Sequence, residues 1–153
     1  MSSEAPIGIG AGVRTLALIS CVKDKLPYPA PAVEIYRGFF FASSLRYARS
    51  LGPDAIYILS GKYGLLALED PVEPYDLNLG EQPQAYRETW SQRVLAALGQ
   101  VSRPAVDHYI LLVEPPYRDG LVPHLGHVSI PFAGLSLVEQ EDRYRAWYGT
   151  TSP

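Results

Sequence analysis

A chain of 153 residues is the usual size of one domain with one hydrophobic core. Its 47% hydrophobic and 19% charged residues exclude a disordered or fibrous protein, and its net charge of −3 argues against a protein held on duplex nucleic acid mainly by phosphate contacts. The longest apolar runs, such as residues 109–113, are strand-sized and well short of the ~20 residues that a membrane-spanning helix requires, so no membrane partner is expected.

In chain order, residues 1–13 carry Glu4 and small residues with no basic cap or apolar block, and read as a flexible tail ahead of a single domain over 14–150. Residues 15–20 form a short continuous apolar run, as in a strand buried on both faces of a parallel sheet. Cys21, which follows it, is the only cysteine; no disulfide can form within the chain, and the reducing cytoplasm is the expected setting. After a proline-rich loop over 23–32, residues 39–51 place Phe41, Leu45 and Ala48 near one helical face, and Gly52-Pro53 stops the helix. A second strand is expected over 55–59. Residues 60–82 then read as a long irregular loop, because Pro71 and Pro74 block regular structure and several glycines allow tight turns. Tyr86, Trp90, Val94 and Leu98 mark a helix over 83–98 with Gly99 as its stop. A third strand is expected over 108–113, followed by a short helical stretch to Val122, a last strand over 127–130 and a final helix over about 136–147. This alternation predicts an α/β fold: a three-layer α/β/α domain on a mostly parallel central sheet, with right-handed crossovers. Ligands of such sheets gather beyond the carboxyl ends of the strands, where the loops after Ser20, Leu59 and Val113 converge.

Those loops hold the residues able to do chemistry. The first supplies the Cys21 thiol, the Lys23 and Lys25 ammonium groups and the Tyr28 phenol, suited to an anion or a base edge; the alternative is a buried small Cys21 beside solvated lysines. Tyr36-Arg37-Gly38 opens the following helix, where free N–H groups and Arg37 suit a phosphate or carboxylate, unless Arg37 is simply a surface residue. In the second loop, glycines flank Lys62-Tyr63 and let the backbone turn closely at the sheet edge. The spacing of a nucleotide-triphosphate loop is absent, and so is the G-x-S-x-G of serine hydrolases. Asp76, placed near Lys62, is the carboxylate suited to stabilising positive charge or orienting a water at a glycosidic bond; its competing role is to cap the turn after Pro74. His124 and His127 have no supporting Cys, Asp or Glu, so no metal is expected. Tyr117 either stacks on a ligand ring or closes the core, and Tyr144, Trp147 and Tyr148 read as helix packing.

The run Tyr57-Ile58-Leu59-Ser60-Gly61-Lys62-Tyr63-Gly64-Leu65-Leu66, followed by Glu73-Pro74-Tyr75-Asp76-Leu77, resembles the corresponding region of YaaA-type peroxide-stress proteins. It is more similar still to a small bacterial and phage domain of unknown function related to them, in which a strand ending in Cys-x-Lys-x-Lys precedes the same pattern. The resemblance spans most of residues 15–147. It implies an α/β/α fold similar to the uracil-DNA glycosylase superfamily, with relatives linked to DNA binding under oxidative stress and to deazaguanine base chemistry in transfer RNA. By motif match it places Cys21, Lys23, Lys25, Tyr36, Ser60, Lys62, Tyr63, Tyr75 and Asp76 around a pocket. The chain is much shorter than the YaaA pattern and has no helix-hairpin-helix stretch, which puts independent duplex binding in doubt.

The resulting expectation is a domain that recognises a nucleotide, a modified base, or a base in single-stranded or flipped-out nucleic acid. It would cleave or exchange an N-glycosidic bond without a cofactor, with Asp76 as the carboxylate, Lys62 as the phosphate contact and Tyr63 or Tyr75 stacking on the base. The alternatives are a non-catalytic DNA-binding stress-response or phage-defence protein and an interaction module of a larger assembly. Catalysis itself is not legible in the sequence.

Overall fold

The computed structural model describes residues 12–150, so most of the expected tail over 1–13 lies outside the described residues. In chain order the elements are β1 (Thr15–Ser20), β2 (Ala30–Pro31), α1 (Ala32–Ile35), α2 (Phe39–Ser50), β3 (Ala55–Ser60), β4 (Gly64–Ala67), β5 (Pro71–Val72), α3 (Gln84–Val101), β6 (His108–Leu112), α4 (Pro115–Arg118), β7 (His127–Ser129) and α5 (Leu137–Thr150). One-turn 3₁₀ segments lie at Leu79–Glu81 and Val122–His124. The main sheet has the order β4-β3-β1-β6-β7, with β4 antiparallel to β3 and the other pairings parallel.

The apolar run of β1 works because the strand is covered on both faces. Leu16 and Leu18 pack with Trp90, Val94 and Leu98 of α3, whereas Ala17 and Ile19 pack with Phe41 and Ala48 of α2. All four strand residues are fully buried, and each large side chain so buried contributes about 1.5–3 kcal/mol of transfer free energy. Helix α5 covers the α2 side, where Tyr144 meets Tyr47, Phe39 and Phe132 edge to face. The aromatic residues of α5 therefore do pack against a helix, as their spacing suggests. The result is a three-layer α/β/α domain on a mostly parallel sheet.

Two local expectations need correction. Helix α3 runs through Gly99, around which a side chain would meet open space, and ends at Val101. A glycine inside an exposed helical turn costs only about 1 kcal/mol, and the terminus is set by Ser102, whose hydroxyl donates to the Leu98 carbonyl (2.7 Å) and shares a hydrogen bond with Tyr109 (2.6 Å). Residues 60–82 are also more ordered than a loop. Gly64, at φ 78°, turns the chain back so that β4 pairs with β3, and β5 pairs antiparallel with β2, joining Ala30 to Val72 and Pro31 to Pro71.

The opposite end of the sheet is held by carboxylates: Asp54 accepts from the Thr15 N–H (2.7 Å), and Asp107 takes several donors. Asp107 has no exposed surface and accepts from the N–H groups of Arg14 and Arg103 and from the Arg103 guanidinium. Desolvation pushes its carboxyl up, but these donors outweigh it and hold the group below its ordinary range.

Candidate functional site

The chain runs from β1 outward to β3 and β4, then returns across β1 to β6 and β7. The direction therefore reverses between β1 and β6, and the loops leaving their carboxyl ends diverge around a crevice. Two cavities open there. The smaller, of about 410 Å³, is lined by residues that include Cys21, Lys23, Lys25, Asp76, Glu114 and Tyr117. The larger, of about 900 Å³, runs beneath α5 past Phe40, Phe132 and Tyr144. Residues 20–23 and Glu114 border both.

Short backbone ladders hold the sequence-distant loops together. The first loop closes on itself where Leu26 N–H donates to the Ile35 carbonyl (2.8 Å) and Arg37 N–H donates to the Asp24 carbonyl (2.9 Å). It is tied to the second loop by β2–β5 and by Ala32 and Val33 N–H donating to the Asp70 and Leu68 carbonyls. These links set Lys25 and Tyr36 against Tyr75.

Helix α3 holds the turn after β3. Trp90, Tyr86 and Arg93 lie on one face and donate in turn to the carbonyls of Ser60 (2.8 Å), Gly61 (2.8 Å) and Lys62 (3.1 Å). Inside the turn, the Ser60 hydroxyl accepts from the N–H groups of Lys62 and Tyr63. With both lone pairs engaged, its proton goes to Tyr75 Oη (2.7 Å), which in turn shares a hydrogen bond of 2.6 Å with Tyr36 Oη. Burial pushes the Tyr36 phenol up to about 12 and the Tyr75 phenol higher still, so both are neutral donors at physiological pH.

Cations gather on these rings. Lys25 Nζ stands 4.3 Å from the centroid of Tyr75 and donates to the Lys23 carbonyl (3.1 Å). Lys62 Nζ lies 5.4 Å from the Tyr63 ring and 5.9 Å from Tyr75. Tyr63 and Tyr75 meet edge to face at 5.5 Å. Burial lowers the pKa of the Lys25 ammonium, against the opposing pull of Cys21, Asp76 and Asp24.

The expected residues thus fall into separate places. Cys21, Lys23, Lys25, Asp76 and Tyr117 share the smaller hollow. Ser60 and Tyr36, with 0% and 3% exposure, stand behind Tyr75 as supports rather than as ligand contacts. Tyr63 and Lys62 border the Tyr75 ring, and Lys62 is not among the residues lining the hollow, so the lysines that share the hollow with Asp76 are Lys23 and Lys25. Arg37 is exposed and lines neither cavity. Tyr117 closes the core by packing edge to face on Trp90 (5.6 Å), while its hydroxyl accepts from the Cys21 thiol (3.4 Å).

Asn78, Glu81 and Glu114 also line the hollow, and sequence reasoning did not single them out. Glu114 carried a usable signal, since it follows directly on the strand expected over 108–113, whose carboxyl end was expected at the site. Among the described residues no group of three or more His, Cys, Asp or Glu side chains is arranged to hold a metal ion, and no helix is long and apolar enough to cross a membrane.

Residues 16–146 match the model of a protein family described as a family of unknown function, DUF6884. No curated protein matches the chain.

Proposed function

The chain belongs to the DUF6884 family, whose function is unknown, and from the site itself we propose a base- or nucleotide-recognising domain that cleaves or exchanges an N-glycosidic bond. The observation that carries this reading is the exposed Asp76 sharing one hollow beyond the strand ends with Lys23 and Lys25. A volume of about 410 Å³ lies within the range of small-molecule sites.

Charge favours a single nucleotide over a nucleic-acid backbone. The hollow holds two lysines against three carboxylates, Asp76, Glu81 and Glu114. Two ammonium groups suit one phosphate, and the carboxylates accept from ribose hydroxyls and base N–H groups. A polyphosphate strand would meet a site with no cationic excess on a chain of net charge −3.

In the proposed reaction the bond between the sugar C1′ and the base nitrogen breaks, and its electron pair leaves with the base. Asp76 stabilises the positive charge developing on the sugar and takes the proton of the attacking water, whose oxygen forms the new bond to C1′. The departing base nitrogen takes a proton from solvent.

The test is to incubate nucleosides and nucleoside monophosphates with the protein and to separate free base chromatographically. Asp76→Asn is expected to reduce base release by about 10²-fold or more, the scale of a lost general base, while binding by equilibrium dialysis changes by less than about threefold. Base release by Asp76→Asn at the unsubstituted rate, or no nucleotide binding at all, would overturn the reading.

A further inference from the structure

The chain has ten arginines and three lysines; Lys23 and Lys25 line the hollow, and Lys62 lies nearby against the Tyr63 and Tyr75 rings. No arginine lines the hollow. Arginine does structural work elsewhere, as in the Arg103–Asp107 pair or the Arg93 bond to the Lys62 carbonyl. Lysine differs in one chemical respect that matters here: it can lose its proton and act as an amine.

Of the three, Lys25 has the geometry for that. Lys23 and Lys62 are exposed, whereas Lys25 is half-buried on the face of Tyr75 with its backbone clamped in the bridge to Tyr36. Its ammonium donates to the Lys23 carbonyl, and it lines the same hollow as Asp76. The groups around it are Cys21, Asp24, Asp76 and the phenols of Tyr36 and Tyr75. Burial eases deprotonation of this amine.

We propose that Lys25 is an amine nucleophile that forms an imine with the open-chain aldehyde of a sugar phosphate held in the hollow. The inference rests on the reading that this hollow accepts a sugar-bearing ligand. The Lys25 nitrogen attacks the aldehyde carbon, forming a C–N bond while the carbonyl oxygen becomes a hydroxyl. Asp76 takes the proton lost by nitrogen and returns it to the hydroxyl, which leaves as water; the nitrogen lone pair completes the C=N bond. Amine and aldehyde give imine and water, with no change of oxidation state. Lys23 remains to hold the phosphate.

The experiment is reductive trapping. The protein is incubated with ribose 5-phosphate and cyanoborohydride, which reduces the imine to a stable secondary amine, and the adduct is located by peptide mass mapping. Modification of Lys25 is expected to exceed that of Lys23, Lys62 and the N-terminal amine by at least about tenfold, because only Lys25 is held half-buried on Tyr75 in the hollow it shares with Asp76, the geometry the step needs. Phosphate-free ribose should label it more slowly. Lys25→Arg, which keeps the charge, should lose the adduct, whereas Lys62→Arg, outside the hollow, should still form it.

Even labelling of all amines, an undiminished adduct in Lys25→Arg, or no adduct on Lys25 would each overturn the proposal; the mapping of the unsubstituted protein decides this whether or not a variant folds. The outcome is separable from that of the glycosidic reading. Trapping without base release leaves an imine-forming sugar-phosphate site, and base release without trapping leaves a glycosidic site with no covalent step.

Discussion

Ser60 determines the direction of a chain of hydroxyls. Two backbone N–H groups occupy its lone pairs, so its proton must go to Tyr75, and of the two tyrosines one phenolic proton remains free to donate elsewhere. Tyr75→Phe would leave the buried Ser60 hydroxyl without its acceptor, and we expect a stability loss of about 1–3 kcal/mol, read as a lower urea midpoint. The same network predicts alkaline behaviour. Tyrosines of the unfolded chain titrate near pH 10, whereas Tyr36 in the folded protein is pushed up to about 12. The unfolded state therefore releases its proton first. Stability from this group is fully present below about pH 10 and is lost as pH rises toward 12. Urea midpoints at stepped alkaline pH should fall across that window, and a flat profile would contradict the buried phenol.

Elements that owe their form to their own residues were legible, and those that owe it to a distant partner were not. The apolar runs of β1, β3 and β6 and the apolar face of α2 announce themselves by period and composition. Strand β5 is two residues long and begins with a proline, and β4 follows directly on a glycine turn; only pairing with β2 and β3 makes them strands. The site divides in the same way. Cys21, Lys23 and Asp76 were reachable from topology, but the separation of Lys62 from the hollow depends on how α3 fixes the turn after β3. That turn approaches the Asp76 segment so closely that a Cβ on Gly61 would lie 3.0 Å from Leu77 Cδ2 and 3.2 Å from its carbonyl oxygen. Gly61→Ala should therefore push the Asp76–Leu77 backbone outward. We expect base release to fall by about tenfold or more, while thermal stability drops by only a few degrees. A variant with full activity would show that Asp76 has no demanding position to keep.

For the molecule as a whole, the order of the strands matters more than any single contact. Placing β1 between β3 and β6 brings three loops to one crevice and leaves the other end of the sheet to Asp107 and its structural bonds. The larger cavity under α5 is a product of that arrangement as well. Its walls come from α2, β6 and the residues leading into α5, where Ser136 and Glu139 cap the helix reciprocally. No local pattern could have revealed it. One sulfur atom stands at the border of both cavities, and it belongs to the chain's only cysteine. The protein thus carries a native reporter that needs no engineering: the rate at which iodoacetamide alkylates this thiol measures how open the crevice is. Saturating ribose 5-phosphate should slow alkylation by at least about threefold if it sits where we place it, because thiol chemistry depends on access. An unchanged rate would move the ligand to another part of the surface.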